Sequence, residues 1–375
     1  MIDYVEIRNT NTELIGIIDT ANSIIWHAVY FGVGDFEIYT QATPQALEIL
    51  KINNYVTRPY EIEVGVIERV QIVNDVQGGK MIAAAGRFAK SILDRRIIYR
   101  LSGTVNRATI LRGKVETNVR NLVNNNAINC SFDSKRNISI LELGAAADIP
   151  AVIVDENGEA AEKQVSYDNL LEYTDTVLAE YGLSSTVILD AERKKLQYIV
   201  YAGIDRSVDN IIDASPVVFS QEFDNLISSE YLHNTQLEKN TALIGGEGEG
   251  TARFYALLAG NEKDLNRREM FVDASSISKT YKDDNETEHT YTNAEYSAVL
   301  KAKGKQELAP LKTEEHFTGE IDALNGNYVY NRDFYLGDII TVQDNEINKY
   351  TNARVTEVTE VQDENGYTVN AIYQS

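Results

Sequence analysis

The chain has 375 residues, 43% hydrophobic and 25% charged, which is an ordinary globular composition at a length sufficient for two or three cored domains. Its 35 basic and 57 acidic side chains sum to −22, so charge opposes stable binding to nucleic-acid phosphates or anionic lipid. A single cysteine, Cys130, excludes an internal disulfide framework and a Cys-x-x-Cys metal site. The apolar runs are too short to span a membrane and the start lacks a basic leader, so a soluble protein made in a cytoplasm is expected.

From Met1 to about Ile98 the pattern predicts strand after strand. Tyr4–Arg8 alternates, Leu14–Ile18 is an apolar run, and Ser23–Tyr30 and Asp35–Thr40 carry β-branched and aromatic residues between turn signals. Pro44–Leu50 reads as a short helix capped by Thr43. Strands are expected over Glu61–Glu68 and over Val70–Val73, the latter turning at Asn74–Gly79 into Lys80–Ala83, and Gly86–Leu93 could be a second helix. Beyond Leu101 helical spacing appears in Thr117–Asn124, through Val119, Leu122 and Val123, and in Tyr167–Tyr181, which stops at Gly182. A hairpin of Thr186–Leu189 and Leu196–Tyr201 follows. The acidic turn Val154–Glu159 has too few carboxylates at alternating positions for an EF-hand. After a polar loop over Lys279–Thr292, with Asp283, Asp284, Glu286 and Glu288, a helix is predicted near Asn293–Ala302, ended before Pro310. The last part returns to β: Asn327–Tyr330 after an Asn325-Gly326 turn, then Ile339–Val342, Ala353–Val361 and Tyr367–Ile372, the last two joined at Asp363–Gly366.

The stretch from Phe219 to Asp273 stands out. It contains Phe219-Ser220-Gln221-Glu222-Phe223-Asp224-Asn225-Leu226, then Lys239-Asn240, the loop Gly245-Gly246-Glu247-Gly248-Glu249-Gly250 with Arg253 beyond it, and Arg267-Arg268-Glu269-Met270-Phe271-Val272-Asp273. Four glycines in six positions mean a bare backbone: a bulged or wide turn where two backbones approach. The spacing fits neither a dinucleotide fingerprint nor a P-loop, and Glu247 and Glu249 would repel phosphate. The four histidines, His27, His233, His289 and His316, form no metal-binding pair, and no nucleophile elbow or papain-like cysteine context occurs. Arg267, Arg268 and Asp273 read either as an intrachain ion pair or as a contact between subunits.

Taken with Arg95-Arg96-Ile97-Ile98, Val200-Tyr201-Ala202-Gly203-Ile204-Asp205-Arg206-Ser207 and Leu336-Gly337-Asp338-Ile339-Ile340, this stretch resembles a family of siphophage tail proteins, the ReqiPepy type. Ile204 departs from the polar or basic residue expected there. The resemblance implies the structural domain of tail-tip hub proteins and tail-associated lysins. The expected fold is α+β and β-rich, with two small β-barrel-like domains flanking a mixed α/β domain. Residues 1–100 would form the first barrel, 101–212 plus 251–310 the mixed domain, and 213–250 plus 311–375 a discontinuous second barrel. A homotrimeric baseplate hub would follow, matching a sixfold tube with six similar barrels. It would close the distal tail tube, join the distal tail protein ring, carry tail fibres or a receptor-binding or lytic tip protein, and open for DNA in transit. On this reading the protein resides in the virion, is no enzyme and holds no cofactor or metal. Gly245, Gly246, Glu247, Gly248, Glu249, Gly250, Arg253, Arg267, Arg268 and Asp273 become candidates for contacts that order the ring. Two other classes compete: a receptor- or cell-wall glycan-binding tail protein, and a cell-wall hydrolase using paired carboxylates.

Overall fold

A computed structural model of the chain describes residues 4–75, 79–99, 109–155, 158–282, 287–324, 327–346 and 348–375. With 42% strand and 19% helix, the β-rich α+β class expected from the sequence is the one observed. There are two compact units: Met1–Ser229 with Thr318–Ser375, and Glu230–Phe317.

In the larger unit, alternation produces the strands it predicts: Val5–Arg8, Leu14–Ile18, Ser23–Val29 and Asp35–Gln41. Ile24, Trp26 and Ala28 point inward from Ser23–Val29 and pack with Phe36, Ile38 and Phe88. The Trp26 ring sits 5.8 Å from Phe36 and 4.8 Å from Phe88 in tilted geometry, a favourable arrangement of ring quadrupoles. The helix Pro44–Ile49 begins as predicted, with Thr43 Oγ1 accepting the Ala46 N–H at 3.1 Å and Pro44 at the first position.

The two β-rich ends of the sequence meet in one ten-stranded sheet. Along it run, in spatial order, Gly366–Gln374, Lys349–Asp363, Ser23–Val29, Asp35–Gln41, Gly79–Arg87 and Arg69–Asp75. The seam is antiparallel, with Val29 opposite Glu357 and Ile24 opposite Gln362. Among the described residues no sheet closes into a barrel.

Helix Val115–Val123, continued by a π-helical turn over Asn124–Ile128, packs with helix Leu170–Glu180 and the hairpin of Leu183–Asp190 and Lys195–Ala202. Asn169 caps the second helix by accepting the N–H groups of Leu171 and Glu172, and Gly182 ends it at φ +67. Leu93, Val119, Leu122, Leu170, Val177 and Tyr198 form the core of this region.

Four expectations need correction. The polar loop expected over Lys279–Thr292 contains a two-stranded sheet, Thr280–Lys282 antiparallel to Glu288–Thr290. Gly86 continues the strand Gly79–Arg87, because its backbone lies against Val66 with no room for a side chain; a 3₁₀ helix, Ala89–Arg95, follows instead. Asn327–Tyr330 forms no strand, Tyr330 making only an isolated bridge to Phe334. Of Glu61–Glu68 only Gly65–Val66 is strand, and the chain before it inverts the expected polarity, with Ile62 exposed and Glu63 buried. The turn at Asn325-Gly326 lies outside the described residues. So do residues 76–78 of the Asn74–Gly79 turn, Glu156 and Asn157 of the acidic turn, and Asp283, Asp284 and Glu286 of the polar loop.

In the smaller unit, strand Thr241–Gly245 lies antiparallel to Tyr255–Leu258 and parallel to Glu269–Asp273. Helix Asn293–Leu308 covers one face of this sheet through Tyr296 and Leu300, which pack on Ala242, Ile244, Ala256 and Val272. It starts with a capping box between Thr292 and Glu295 and ends two residues before Pro310.

Candidate functional site

The loop Gly245–Gly250 leaves the central strand of the smaller sheet, and Arg253 folds back over it. Arg253 Nε donates to the Gly246 carbonyl at 3.1 Å, and Nη2 donates to the Gly245 carbonyl at 3.0 Å and pairs with Asp273. A Cβ on Gly245 would lie 2.8 Å from that guanidinium, and one on Gly246 would lie 2.7 Å from the Tyr296 hydroxyl. That hydroxyl accepts the Glu247 N–H at 2.8 Å, while the Glu247 carboxylate accepts the Lys279 N–H at 2.6 Å. Gly248 and Gly250 take positive φ, +105 and +53. The bare backbone is thus required inside one chain, by a side chain and a helix packed on the turn. Glu249 is exposed.

Of the charged candidates, Asp273 belongs to Arg253. Its carboxyl lies below the usual carboxylate range because the Ser275 N–H and hydroxyl, followed by Arg253, favour the charged form. Arg267 pairs with Glu269 at 2.6 Å, and Arg268 pairs with Glu238 at 3.1 Å and donates to Thr235.

The outer face of this sheet was not among the features the sequence singled out. Alternation that buries Ala242, Ile244, Ala256 and Val272 turns Leu243, Tyr255, Leu257 and Phe271 outward, and these four are 42–53% exposed. Register places Leu243 opposite both Leu257 and Phe271, one apolar row across all three strands. The Arg253 guanidinium flanks the row, 5.5 Å from the Phe271 ring centre and 5.9 Å from that of Tyr255. The signal lay in the triplets Ala242-Leu243-Ile244 and Met270-Phe271-Val272, apolar on both faces of a strand where a half-exposed sheet should alternate.

In the larger unit two separated motifs converge. Gly203 and Gly337 touch backbone to backbone, a Cβ on Gly203 falling 1.8 Å from the Gly337 carbonyl oxygen. Asp338, 2% exposed, ties them together: it accepts the Ile204 N–H at 2.7 Å, Arg206 Nε at 2.8 Å and the Tyr335 N–H at 3.0 Å. Beside this junction opens a cavity of ≈ 260 Å³ whose lining includes Glu61, Glu63, Tyr201 and Tyr330. Arg58 and Glu360 form a buried two-bond pair close by, at 3.0 and 2.8 Å, with the Arg58 guanidinium 5.1 Å from the Trp26 ring centre.

Burial, and then the Glu360 charge, pushes the Glu61 carboxyl up to about 7 from an ordinary 4.5; burial also raises Glu63. The sign follows from proton counting. Between pH 4.5 and 7 the folded chain retains a proton on Glu61 that the unfolded chain has released, so this group's contribution to stability falls as pH rises through that window. Glu61→Gln is therefore expected to flatten the decline and to stabilise the protein at pH 7.5 by about 1–3 kcal/mol, read from urea unfolding at several pH values. An unchanged pH profile would refute the burial of that charge.

His27 lies between Asp35 at 3.4 Å and Glu357 at 3.1 Å, and no cluster of three or more metal-ligating side chains occurs among the described residues. Cys130 is buried beside Arg136. Among the described residues no helix is long and apolar enough to cross a membrane.

The fold is that of phage tail proteins. The chain matches the tail protein from Neisseria meningitidis MC58 with a TM-score of 0.53 and 13% identity, over 99% of this chain and 96% of that one. It matches the 43 kDa tail protein of prophage MuSo2 from Shewanella oneidensis with a TM-score of 0.56 and 10% identity, over 99% and 98%. At such identities the likeness is one of fold, and no curated protein matches the chain. The chain belongs to the Siphovirus ReqiPepy6 Gp37-like protein family, whose model matches residues 4–373.

Proposed function

We propose that this chain is a structural protein of a siphophage tail, assembling as a homotrimeric hub at the distal tip. There it joins the distal tail protein ring to the end of the tube, carries fibres or a lytic tip protein, and opens to pass DNA. The observation that supports this most is the apolar row Leu257–Leu243–Phe271, exposed on the stretch that carries the family resemblance. Exposed apolar surface rimmed by charge is what a subunit needs to bury on assembly. The charge of −22 suits a conduit that must repel passing DNA. The chemistry asked of the protein is then docking and conformational change, with no catalytic step.

The double variant Leu243→Asp/Phe271→Asp tests the role of the row. Two carboxylates in a desolvated contact are expected to dissociate a trimer into 42.0 kDa monomers, while the thermal unfolding transition persists because both side chains already face solvent. A variant that still trimerises would remove the row from the interface.

A further inference from the structure

The cavity beside Glu61 and Glu63 brings together two carboxyls that no cation of the surrounding chain pairs with directly. The guanidinium buried near it, Arg58, is engaged by Glu360 through two hydrogen bonds, and Lys90, whose charge also acts on Glu63, is bonded to Asp175 at 3.0 Å. Glu61 and Glu63 are left with neutral donors, the Asn331 amide at 2.6 Å and the Thr186 hydroxyl at 2.7 Å. Glu63 is 8% exposed and lines the cavity, and Thr186 occupies only one of its two oxygens; among the described residues Oε1 has no donor. A carboxyl that lines a cavity with one oxygen uncommitted has room for a donor from outside.

The walls specify which donor. Tyr60, Tyr201, Tyr330 and Tyr335 line the cavity, and Tyr60 at its mouth is fully exposed at φ +67, a conformation aromatic residues rarely adopt. Aromatic faces attract cations through the ring quadrupole, and carboxylates receive their N–H groups in charge-assisted bonds. A bound cation would favour the ionised form of both carboxyls, while an anion would find no positive partner among the lining residues. The geometry points to a binding site for an alkylammonium or guanidinium group in this cavity, with Glu63 and Glu61 accepting its N–H donors and Tyr201 and Tyr330 forming its walls. A space of ≈ 260 Å³ admits one such head with a short stem, supplied by a free amine or by a lysine or arginine side chain of another polypeptide.

Calorimetric titration of the full chain with n-butylammonium chloride at constant ionic strength, at a pH above the Glu61 value of about 7, tests this, with n-butanol as the uncharged counterpart. Saturable one-to-one binding of the ammonium alone is expected, weakened about tenfold or more by Glu63→Gln and by Glu61→Gln. The second variant carries the test if the first fails to fold, since Glu61 lies nearer solvent. A Gly-Lys-Gly peptide with blocked termini, compared with its Nε-acetylated form, separates the sources. Binding of the unacetylated peptide at least as tight as that of the ammonium assigns the guest to a polypeptide, and binding of the ammonium without the peptide assigns it to a small amine. Equal heats from n-butanol, no saturation with n-butylammonium, or unchanged affinity in both glutamine variants would overturn the site. None of these outcomes depends on the tail reading.

Discussion

Arg58→Ala is expected to destabilise the protein by about 3–5 kcal/mol in urea unfolding, because it leaves Glu360 charged, buried and without its guanidinium. The side chains of the pair are 5% and 4% exposed, so water does not screen the loss. The damage extends beyond one carboxylate. Glu360 also accepts from the Tyr367 hydroxyl, and Glu61, already pushed up partly by Glu360, loses the Arg58 charge that opposed its rise. The Trp26 ring loses the cation packed on it. Arg58 also bridges separate parts of the chain, since it precedes the segment holding Glu61 and Glu63 while Glu360 lies on Lys349–Asp363, the strand paired with Ser23–Val29. The compensated variant Arg58→Met/Glu360→Gln should recover much of the loss, since removing both charges also removes the buried deficit. A loss below about 1 kcal/mol in the single variant would mean the pair is solvated.

Gly337→Ala is expected to lose about 2–5 kcal/mol and most of its soluble yield. Two terms add. The backbone there is left-handed at φ +92, and an added Cβ would lie 2.1 Å from the Tyr30 ring. Tyr30 cannot yield easily: it is 0% exposed, its hydroxyl donates to the Gly182 carbonyl at 3.0 Å and accepts the Gly203 N–H at 3.1 Å, and Arg354 stacks 5.2 Å from its ring centre. Gly366→Ala separates the terms, because Gly366 also has a positive φ, +126, but has open space where the Cβ would go. That variant should lose only the backbone term, about 1–2 kcal/mol. Similar losses at the two positions would show that Tyr30 moves aside.

Period-two alternation and cap chemistry made much of the local structure legible. Ser23–Val29, Asp35–Gln41, the Thr43 cap, the stop at Gly182 and the helix beginning at Asn293 all follow from neighbouring residues. Pairing between distant strands was not legible, because the seam of Ser23–Val29 with Lys349–Asp363 depends on which long-range contact wins, and no local pattern encodes that. Glu61–Glu63 misled for a different reason. Its alternation satisfies a strand template, but the chain leaves the sheet there and turns a carboxylate inward, a local rule broken at the cavity wall. The glycine-rich loop was legible as a bare backbone, but at Gly245 and Gly246 side chains, those of Arg253 and Tyr296, press on it where a second backbone was expected, and only Gly248 lies against backbone. Glycine records that space is needed and says nothing of what fills it. The outward row at Leu243 and Phe271 was visible only as apolar composition, which cannot distinguish a strand buried on both faces from one awaiting a partner.

The hub reading is tested most directly by the solution mass of the purified full chain, measured by light scattering across a concentration range with particles imaged by electron microscopy. Three times 42.0 kDa, about 126 kDa, in closed ring-shaped particles is the predicted result. A 42.0 kDa monomer at every concentration, with no rings in the images, would contradict it.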